Sequence, residues 1–166
     1  MRKMCAKILW MVVAIWMLML LSVAGNGFAG DWGSGKNGGV PKSAHSIENG
    51  VYAVKAKIPT TSGSHAYYPG TVSLGENKAE IYGQAQKYSA ASYDVYLPKA
   101  KWCKGGATMA PKGAVQFGQD GGPLYFIRAR IGGKYCYGTF GAVIGAPYVY
   151  CGNMPQEAYS YEALCK

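Results

Sequence analysis

The sequence predicts an all-β fold built from two tandem repeats of short antiparallel strands, and three observations support this. Ordered landmarks recur roughly 68 to 70 residues apart along the 166-residue chain. Several segments alternate polar and apolar residues with period two, as half-buried strands do. Beyond the first thirty residues, no ten-residue stretch shows helical periodicity without an interrupting Gly or Pro. The chain contains 24 Gly and 8 Pro without a three-residue period, which excludes collagen.

The chain begins with a segment that resembles a secretory leader. Three basic residues among the first seven precede an apolar run at 8–21, and Ser22-Val23-Ala24 supplies small residues for a signal peptidase. The run is shorter than the roughly 20 residues of a membrane-spanning helix. We therefore expect a cleaved signal peptide at 1–24, a short linker at 25–31 and secretion to the extracellular space. Cleavage after Ala29 and an uncleaved membrane anchor are the alternatives.

The repeats begin with Trp32 and Trp102 and continue through matched segments. These matches predict repeat one at 32–97, a linker at 98–101 and repeat two at 102–166. The matched segments are 51–58 with 124–131, 69–72 with 137–140, Tyr82 with Tyr150, and Ser92-Tyr93-Asp94 with Ser160-Tyr161-Glu162.

Alternation and Gly-rich boundaries predict four or five short strands in each repeat. A single sheet of that size cannot bury both of its faces. We therefore expect the two copies to face one another, or to exchange terminal strands, so that they share a core with pseudo-twofold symmetry. The predicted strands are 52–58, 71–74, 78–82 and 93–97 in repeat one, and 125–131, 139–144 and 147–151 in repeat two.

Positive charge is spread along the chain rather than clustered. The full sequence has 17 basic and 8 acidic residues, a net charge of +9, but three of the basic residues lie in the leader, leaving +6. Lys55 and Arg128 recur at one repeat position, which predicts a charged strand face or a repeat-to-repeat salt bridge. A nucleic-acid groove would need clustered arginine with stacking aromatic residues, so we expect no nucleic-acid partner.

Four cysteines follow the leader, and all four lie in repeat two. An even number in an oxidising compartment predicts two disulfides, for which three connectivities are open. The preferred pairing joins the start of the repeat to its end and links two neighbouring strands. These pairs are Cys103 with Cys165 and Cys136 with Cys151.

Catalytic and metal-binding patterns are missing from the sequence. It contains no G-x-S-x-G, no H-E-x-x-H and no phosphate-binding loop, and its only histidines are His45 and His65. We therefore expect no enzyme activity, no catalytic residue, no metal site and no cofactor.

Repeat two contains an ordered set of short motifs. They are Trp102, Pro111-Lys112-Gly113-Ala114-Val115, Leu124–Ala129, Tyr137-Gly138-Thr139, Tyr148–Gly152 and Tyr161–Leu164. The set resembles the DM-nine (DM9) repeat family, and the resemblance covers essentially all of the chain after the leader. It implies a tandem-repeat β protein with pseudo-twofold symmetry; some members are mannose-binding lectins, while others are secreted or tegumental proteins. The partner implied is a glycan or glycoprotein, with a homodimer as a further option.

The resemblance also implies where the sugar binds. In the lectins the contacts come from an acidic residue early in the repeat, matched here by Asp120 and loosely by Glu48, and from a lysine. Thr71 and Thr139 stand at the lysine position. A hydroxyl in place of an ammonium loses a charge-assisted hydrogen bond, so we expect a weak, lectin-like binder. The alternative is an extracellular structural or protein-interaction protein that has lost the sugar site.

Overall fold

The computed structural model describes residues 30–83, 86–106, 108–141 and 145–166. The predicted signal peptide and most of the linker after it lie outside these ranges. The described residues form β-strands without any helix, which confirms the all-β prediction. The thirteen strands are β1 (Trp32–Lys36), β2 (Val51–Pro59), β3 (His65–Ser73), β4 (Ala79–Tyr82), β5 (Lys87–Ala90), β6 (Ser92–Tyr96), β7 (Lys101–Lys104), β8 (Gln116–Gln119), β9 (Pro123–Ile131), β10 (Lys134–Gly141), β11 (Tyr148–Tyr150), β12 (Pro155–Glu157) and β13 (Glu162–Cys165).

The strands form two antiparallel sheets with the same internal order. The first sheet runs β1-β6-β2-β3-β4-β5, and the second runs β7-β13-β9-β10-β11-β12, with β8 added beside β9. Each sheet uses strands from one repeat alone, so the copies do not exchange terminal strands. In both, the first strand of the repeat pairs with its last. This matching order fits the predicted pseudo-twofold symmetry.

A long hairpin forms the centre of each sheet. In the first, β2 and β3 pair from Val51 with Ser73 to Pro59 with His65, and apolar residues alternate with lysines along β2. The hairpin turn includes Gly63 at φ +80°, a conformation that favours glycine. β9 and β10 form the equivalent hairpin in the second sheet.

The sheets contain six and seven strands, more than the four or five predicted for each repeat. The strands missed include β1, β5, β7 and β12, which have three to five residues and are too short to show an alternating pattern. β3 begins at His65 rather than at Thr71. Pro69 and Gly70 are typical of turns, yet they pair in register with β2 because the long partner strand fixes their backbone.

The shared core lies between the two sheets and is mostly aromatic. Tyr82 stacks on its repeat equivalent Tyr150 with ring centres 5.7 Å apart. Trp32 of repeat one lies edge-on to Phe117 of repeat two at 5.0 Å. The buried members of this cluster are Ala53, Tyr82, Tyr96, Val115, Phe117, Phe126, Tyr150 and Leu164.

The opposite face of each sheet is covered by the repeat's own loop. Val40 and Ala44, between β1 and β2, pack on a cluster that includes Val54 and Ile81. Ala110 and Ala114, between β7 and β8, pack on the corresponding cluster of the second sheet. The predicted shared core is therefore confirmed, and each sheet has a second buried cluster on its other face. Leu124 of repeat two contributes to the cluster of the first sheet.

The preferred disulfide pairing is confirmed. Cys103 and Cys165 join β7 to β13 with Cα atoms 6.1 Å apart, and Cys136 and Cys151 join β10 to the end of β11 at 4.9 Å. Both separations fall in the usual range for disulfides. The bridges therefore fasten neighbouring strands of the second sheet.

We predict that Gly118→Ala weakens the contact between the repeats. A Cβ atom at Gly118 would lie 1.7 Å from the backbone carbonyl oxygen of Tyr67 in repeat one. A backbone carbonyl cannot rotate away from this clash as a side chain could, so we expect the free energy of unfolding to fall by about 1–3 kcal/mol or more. Urea denaturation measures this free energy. Gly152→Ala is the matched control, since its Cβ would meet nothing within 4 Å, and equal stabilities of the two variants would contradict the prediction.

The two disulfides should stabilise the protein unequally. They close loops with sequence separations of 62 and 15 residues. In the chain-entropy account, the longer loop contributes about 4 kcal/mol and the shorter about 3 kcal/mol. Replacing both cysteines of one bridge by serine should therefore cost more for Cys103 and Cys165 than for Cys136 and Cys151. Denaturation of the two double variants tests the order, and the reverse order would refute the entropic explanation.

Candidate functional site

The two threonines expected at the sugar site lie in the interface between the sheets. Thr71 pairs with Ala53 and Thr139 pairs with Phe126, so both side chains share the face of the shared core. They are 6% and 1% exposed. The Thr71 hydroxyl is 2.6 Å from that of Tyr82, whereas the Thr139 hydroxyl has no hydrogen-bond partner among the described residues. Neither threonine therefore offers much surface to a ligand.

The two acids expected at the sugar site each meet a tyrosine of the other repeat. The Tyr68 hydroxyl donates to Asp120 at 2.5 Å, and the Tyr137 hydroxyl donates to Glu48. Both acids are half-buried. All four candidate residues thus lie along the contact between the repeats, and their role in ligand binding stays a prediction.

Burial and Glu48 together keep Tyr137 protonated. Burial contributes most to the raised pKa of Tyr137, and the hydrogen bond to the Glu48 carboxylate and its negative charge raise that pKa further. A protonated phenol remains a donor, so the link between the repeats persists at neutral pH.

Two open clefts, one in each repeat, present polar side chains beside a tyrosine. Cleft one has a volume of about 500 Å³, and cleft two about 280 Å³. Cleft one is lined by Ser34, Gly35, Lys36, Ala56, Lys57, Tyr67, Ser92, Tyr93 and Asp94. Cleft two is lined by Lys104, Gly105, Arg128, Ala129, Arg130, Tyr135, Ser160, Tyr161 and Glu162.

The linings of the two clefts correspond residue by residue. With Trp32 aligned on Trp102, eight of the nine lining positions of each cleft match. The strand registers agree, because Lys57 lies opposite Tyr67 in the first sheet as Arg130 lies opposite Tyr135 in the second. The clefts are therefore one site present twice. The matched pairs include Tyr67 with Tyr135, Ser92 with Ser160, Asp94 with Glu162 and Lys57 with Arg130.

Each cleft continues a strand face that begins in the shared core. Along one face of β9, Phe126 is buried, Arg128 is half-buried and Arg130 is exposed. The equivalent face of β2 runs from buried Ala53 through Lys55 to exposed Lys57. Alternate residues of a strand share a face, so one face serves both the core and the cleft.

A cation lies between two aromatic rings in each repeat. Arg128 lines cleft two, whereas its equivalent Lys55 adjoins the lining residue Ala56 of cleft one. The Arg128 guanidinium carbon lies 4.3 Å from the centre of the Trp102 ring and 4.0 Å from that of Tyr135. The equivalent Lys55 ammonium lies 3.9 Å from Trp32 and 5.1 Å from Tyr67. Such contacts stabilise the cation and hold the rings in place.

The inner cation also faces the acid of the cleft in its own repeat, and in repeat two the pair forms a salt bridge. Arg128 Nε lies 2.8 Å from Glu162 Oε2, and Lys55 lies directly opposite Asp94 in the strand register. Burial lowers the pKa of Lys55, and the charge of Asp94 offsets part of that effect. The recurring cation thus belongs to a charged strand face, and its ion pair lies within one repeat. The expectation of a repeat-to-repeat salt bridge at this position was wrong, because β13 lies beside β9 of the same repeat.

The sequence contains a pattern that indicates the clefts, the repetition of certain polar residues in both copies. Considering candidate residues one at a time missed this pattern. Ser-Tyr-Asp at 92–94 and Ser-Tyr-Glu at 160–162 mark the repeat, as do Lys-x-Lys at 55–57 and Arg-x-Arg at 128–130. Polar residues kept in both copies, on a strand where burial does not require them, are candidates for a binding role. Tyr67 and Tyr135 could have been found in the same way.

Neither a metal centre nor a membrane-spanning helix is found within the described ranges. No cluster of three His, Cys, Asp or Glu side chains there could hold a metal ion. No helix there is long and apolar enough to cross a membrane.

A comparison with known families finds a match over most of the described chain. The family model described as DM9 repeat matches residues 48–157, which span most of both sheets. No curated protein matches the chain.

We predict that the burial of Tyr137, together with its hydrogen bond to Glu48, makes stability fall in alkaline solution. A raised pKa in the folded state means that the fold favours the protonated phenol, so its contribution is present below about pH 10 and is lost as pH rises further. Tyr137→Phe should therefore show a shallower decline in the free energy of unfolding above about pH 10. Urea denaturation across this range measures the slope. Tyr159→Phe, at an exposed tyrosine, is the control, and identical slopes for both variants would contradict the prediction.

Proposed function

The chain belongs to the DM9 repeat family, and from this premise we propose that it is a secreted, lectin-like recognition protein that binds one saccharide in each cleft. The observation that carries the proposal is the duplication of the cleft. Eight matched positions keep a tyrosine, a serine and a carboxylate together in both repeats. We assign the protein no enzymatic activity.

The lining supplies the groups that sugar binding requires. Sugar rings present apolar C–H faces that pack on aromatic rings, and hydroxyl groups that need donors and acceptors. Tyr67 and Tyr135 are 36% and 42% exposed, so each offers a ring to a ligand. Serine hydroxyl and carboxylate oxygens lie in the same clefts.

The inner ion pair prepares the carboxylate for binding. Arg128 is held between Trp102 and Tyr135 and fixes one oxygen of Glu162. A side chain that is already ordered loses less conformational entropy when a ligand binds. The cleft is therefore partly preorganised by the residues behind it.

Two disulfides support the proposal of an extracellular location. Disulfides persist in oxidising compartments and are rare in the cytosol, and the pairs in repeat two join neighbouring strands. The predicted signal peptide would direct the chain to such a compartment.

A second candidate function is an extracellular structural or protein-interaction protein. It is favoured by Thr71 and Thr139, which are buried where the resemblance to the lectins places a lysine. In that case the family's sugar contacts have been replaced by packing between the repeats.

We expect titration calorimetry with saccharides that a glycan array selects, mannose and mannotriose among them, to give two sites per chain. Tyr135→Ala should remove one site and Tyr67→Ala the other, because each removes the ring of one cleft. Exposed Tyr159, which lines neither cleft, supplies the control variant Tyr159→Ala.

The same titration distinguishes sugar binding in the clefts from sugar binding at the residues that the sequence predicted, of which Asp120 is tested. Loss of binding in Asp120→Ala, with both cleft variants unaffected, would place the sugar at the repeat contact instead. Absence of binding to every glycan on the array would favour the structural or interaction protein.

A further inference from the structure

We infer that the clefts select anionic saccharides, sugar rings that bear a carboxylate or a sulfate, over neutral hexoses. This inference rests on the proposed function and names its ligand class. Its basis is the charge that remains in each cleft after the internal ion pair is formed.

The one acid in each lining faces a cation of its own repeat. Glu162 forms a salt bridge with Arg128 at 2.8 Å, and Asp94 lies opposite Lys55 in the strand register. Each of these two pairs of opposite charges sums to zero, so the net charge at each cleft depends on its other cations.

Two further cations line each cleft, and all four are exposed. They are Lys36 and Lys57 in cleft one, and Lys104 and Arg130 in cleft two. The charged lining residues sum to +1 in cleft one and to +2 in cleft two. When Lys55, which adjoins the lining residue Ala56, is counted against Asp94, two positive charges remain at each cleft.

With Lys55 included, this charge is the same in both repeats although its residues differ. Lys104 corresponds to Ser34, and Lys36 corresponds to Gly106, so the second cation occupies different positions on β7 and β1. Lysines placed without a function on the surface would not be expected to give both clefts the same net charge beside equivalent tyrosines. The equal charge points to a ligand that needs it.

The cation and the ring are placed to act on one ligand. Arg130 and Tyr135 lie opposite one another on β9 and β10, and the Lys57 ammonium lies 5.4 Å from the centre of the Tyr67 ring. A sugar packed on the tyrosine would bring a ring carboxylate or sulfate to the neighbouring cation. Guanidinium binds such planar or multidentate anions through parallel hydrogen bonds.

Two equivalent sites suit a polymeric ligand. A polysaccharide with repeated anionic units can occupy both clefts of one chain or bridge two chains. Linked binding of this kind raises apparent affinity by about 10² to 10⁴ when the geometry permits it.

The test uses protein purified after expression of the full chain and three disaccharides. One contains a hexuronate without sulfate, one contains a sulfate without uronate, and the third is neutral mannobiose. Calorimetry should give two sites for at least one anionic disaccharide, with affinity at least about tenfold above that for mannobiose and falling as salt is raised. Comparing the hexuronate with the sulfated disaccharide identifies which anionic group is recognised. Inorganic sulfate at the same concentration should not displace the bound disaccharide.

Single-cleft variants complete the experiment. Arg130→Gln should weaken binding at one of the two sites by about tenfold or more, and Lys57→Gln should weaken the other. Lys99→Gln is the matched control, because Lys99 is exposed and lines neither cleft. Thermal denaturation should show the three variants equally folded.

The outcomes separate this inference from the proposed function. Mannobiose binding that equals or exceeds the anionic arms would overturn the anionic preference and leave the lectin-like function standing. Glutamine variants that bind like Lys99→Gln would also overturn it. No binding in any arm would overturn both.

Discussion

The structure depends on the contact between the two repeats, at whose centre Tyr82 stacks on Tyr150. Each repeat supplies one small sheet with two apolar faces, and its own loop covers only one of them. A chain the length of one repeat would bury only about 60% of the surface that its unfolded form exposes, which gives marginal stability. The second copy covers the remaining face. Hydrogen bonds that Tyr68, Tyr137 and Tyr150 donate to the opposite repeat help to fix the relative orientation of the two sheets.

This constraint also decides which residues remain for binding. The middle of the shared face is filled by aromatic side chains, so Thr71 and Thr139 are buried there. Asp120 and Glu48 hold tyrosines of the opposite repeat. Only where the strands leave the contact does the same face reach solvent, and there Lys57 and Arg130 stand beside Tyr67 and Tyr135. One face of β2, and the equivalent face of β9, thus contributes side chains to the shared core at one end and to the cleft at the other.

The sequence predicted β2 and β9 well because apolar residues alternate with basic ones along both strands. It located only the last part of β3, at 71–74, and placed the strand that corresponds to β10 at 139–144. It missed short strands such as β1 and β12, whose pairing is fixed by neighbours rather than by their own residues. The disulfide pairing could be preferred but not decided, since connectivity depends on which strands are adjacent. The clefts were harder to predict, because Ser34, Tyr67 and Ser92 come together only after β1 pairs with β6 and β2 with β3.

The central claim is that a single binding site exists twice, each copy lined by residues of one repeat alone. The most direct measurement is a crystal structure of the protein with a bound anionic disaccharide. We expect a sugar ring against Tyr67 in one repeat and against Tyr135 in the other, with the anion beside Lys57 and Arg130. A disaccharide bound beside Asp120 and Tyr68 with both clefts empty would contradict the claim.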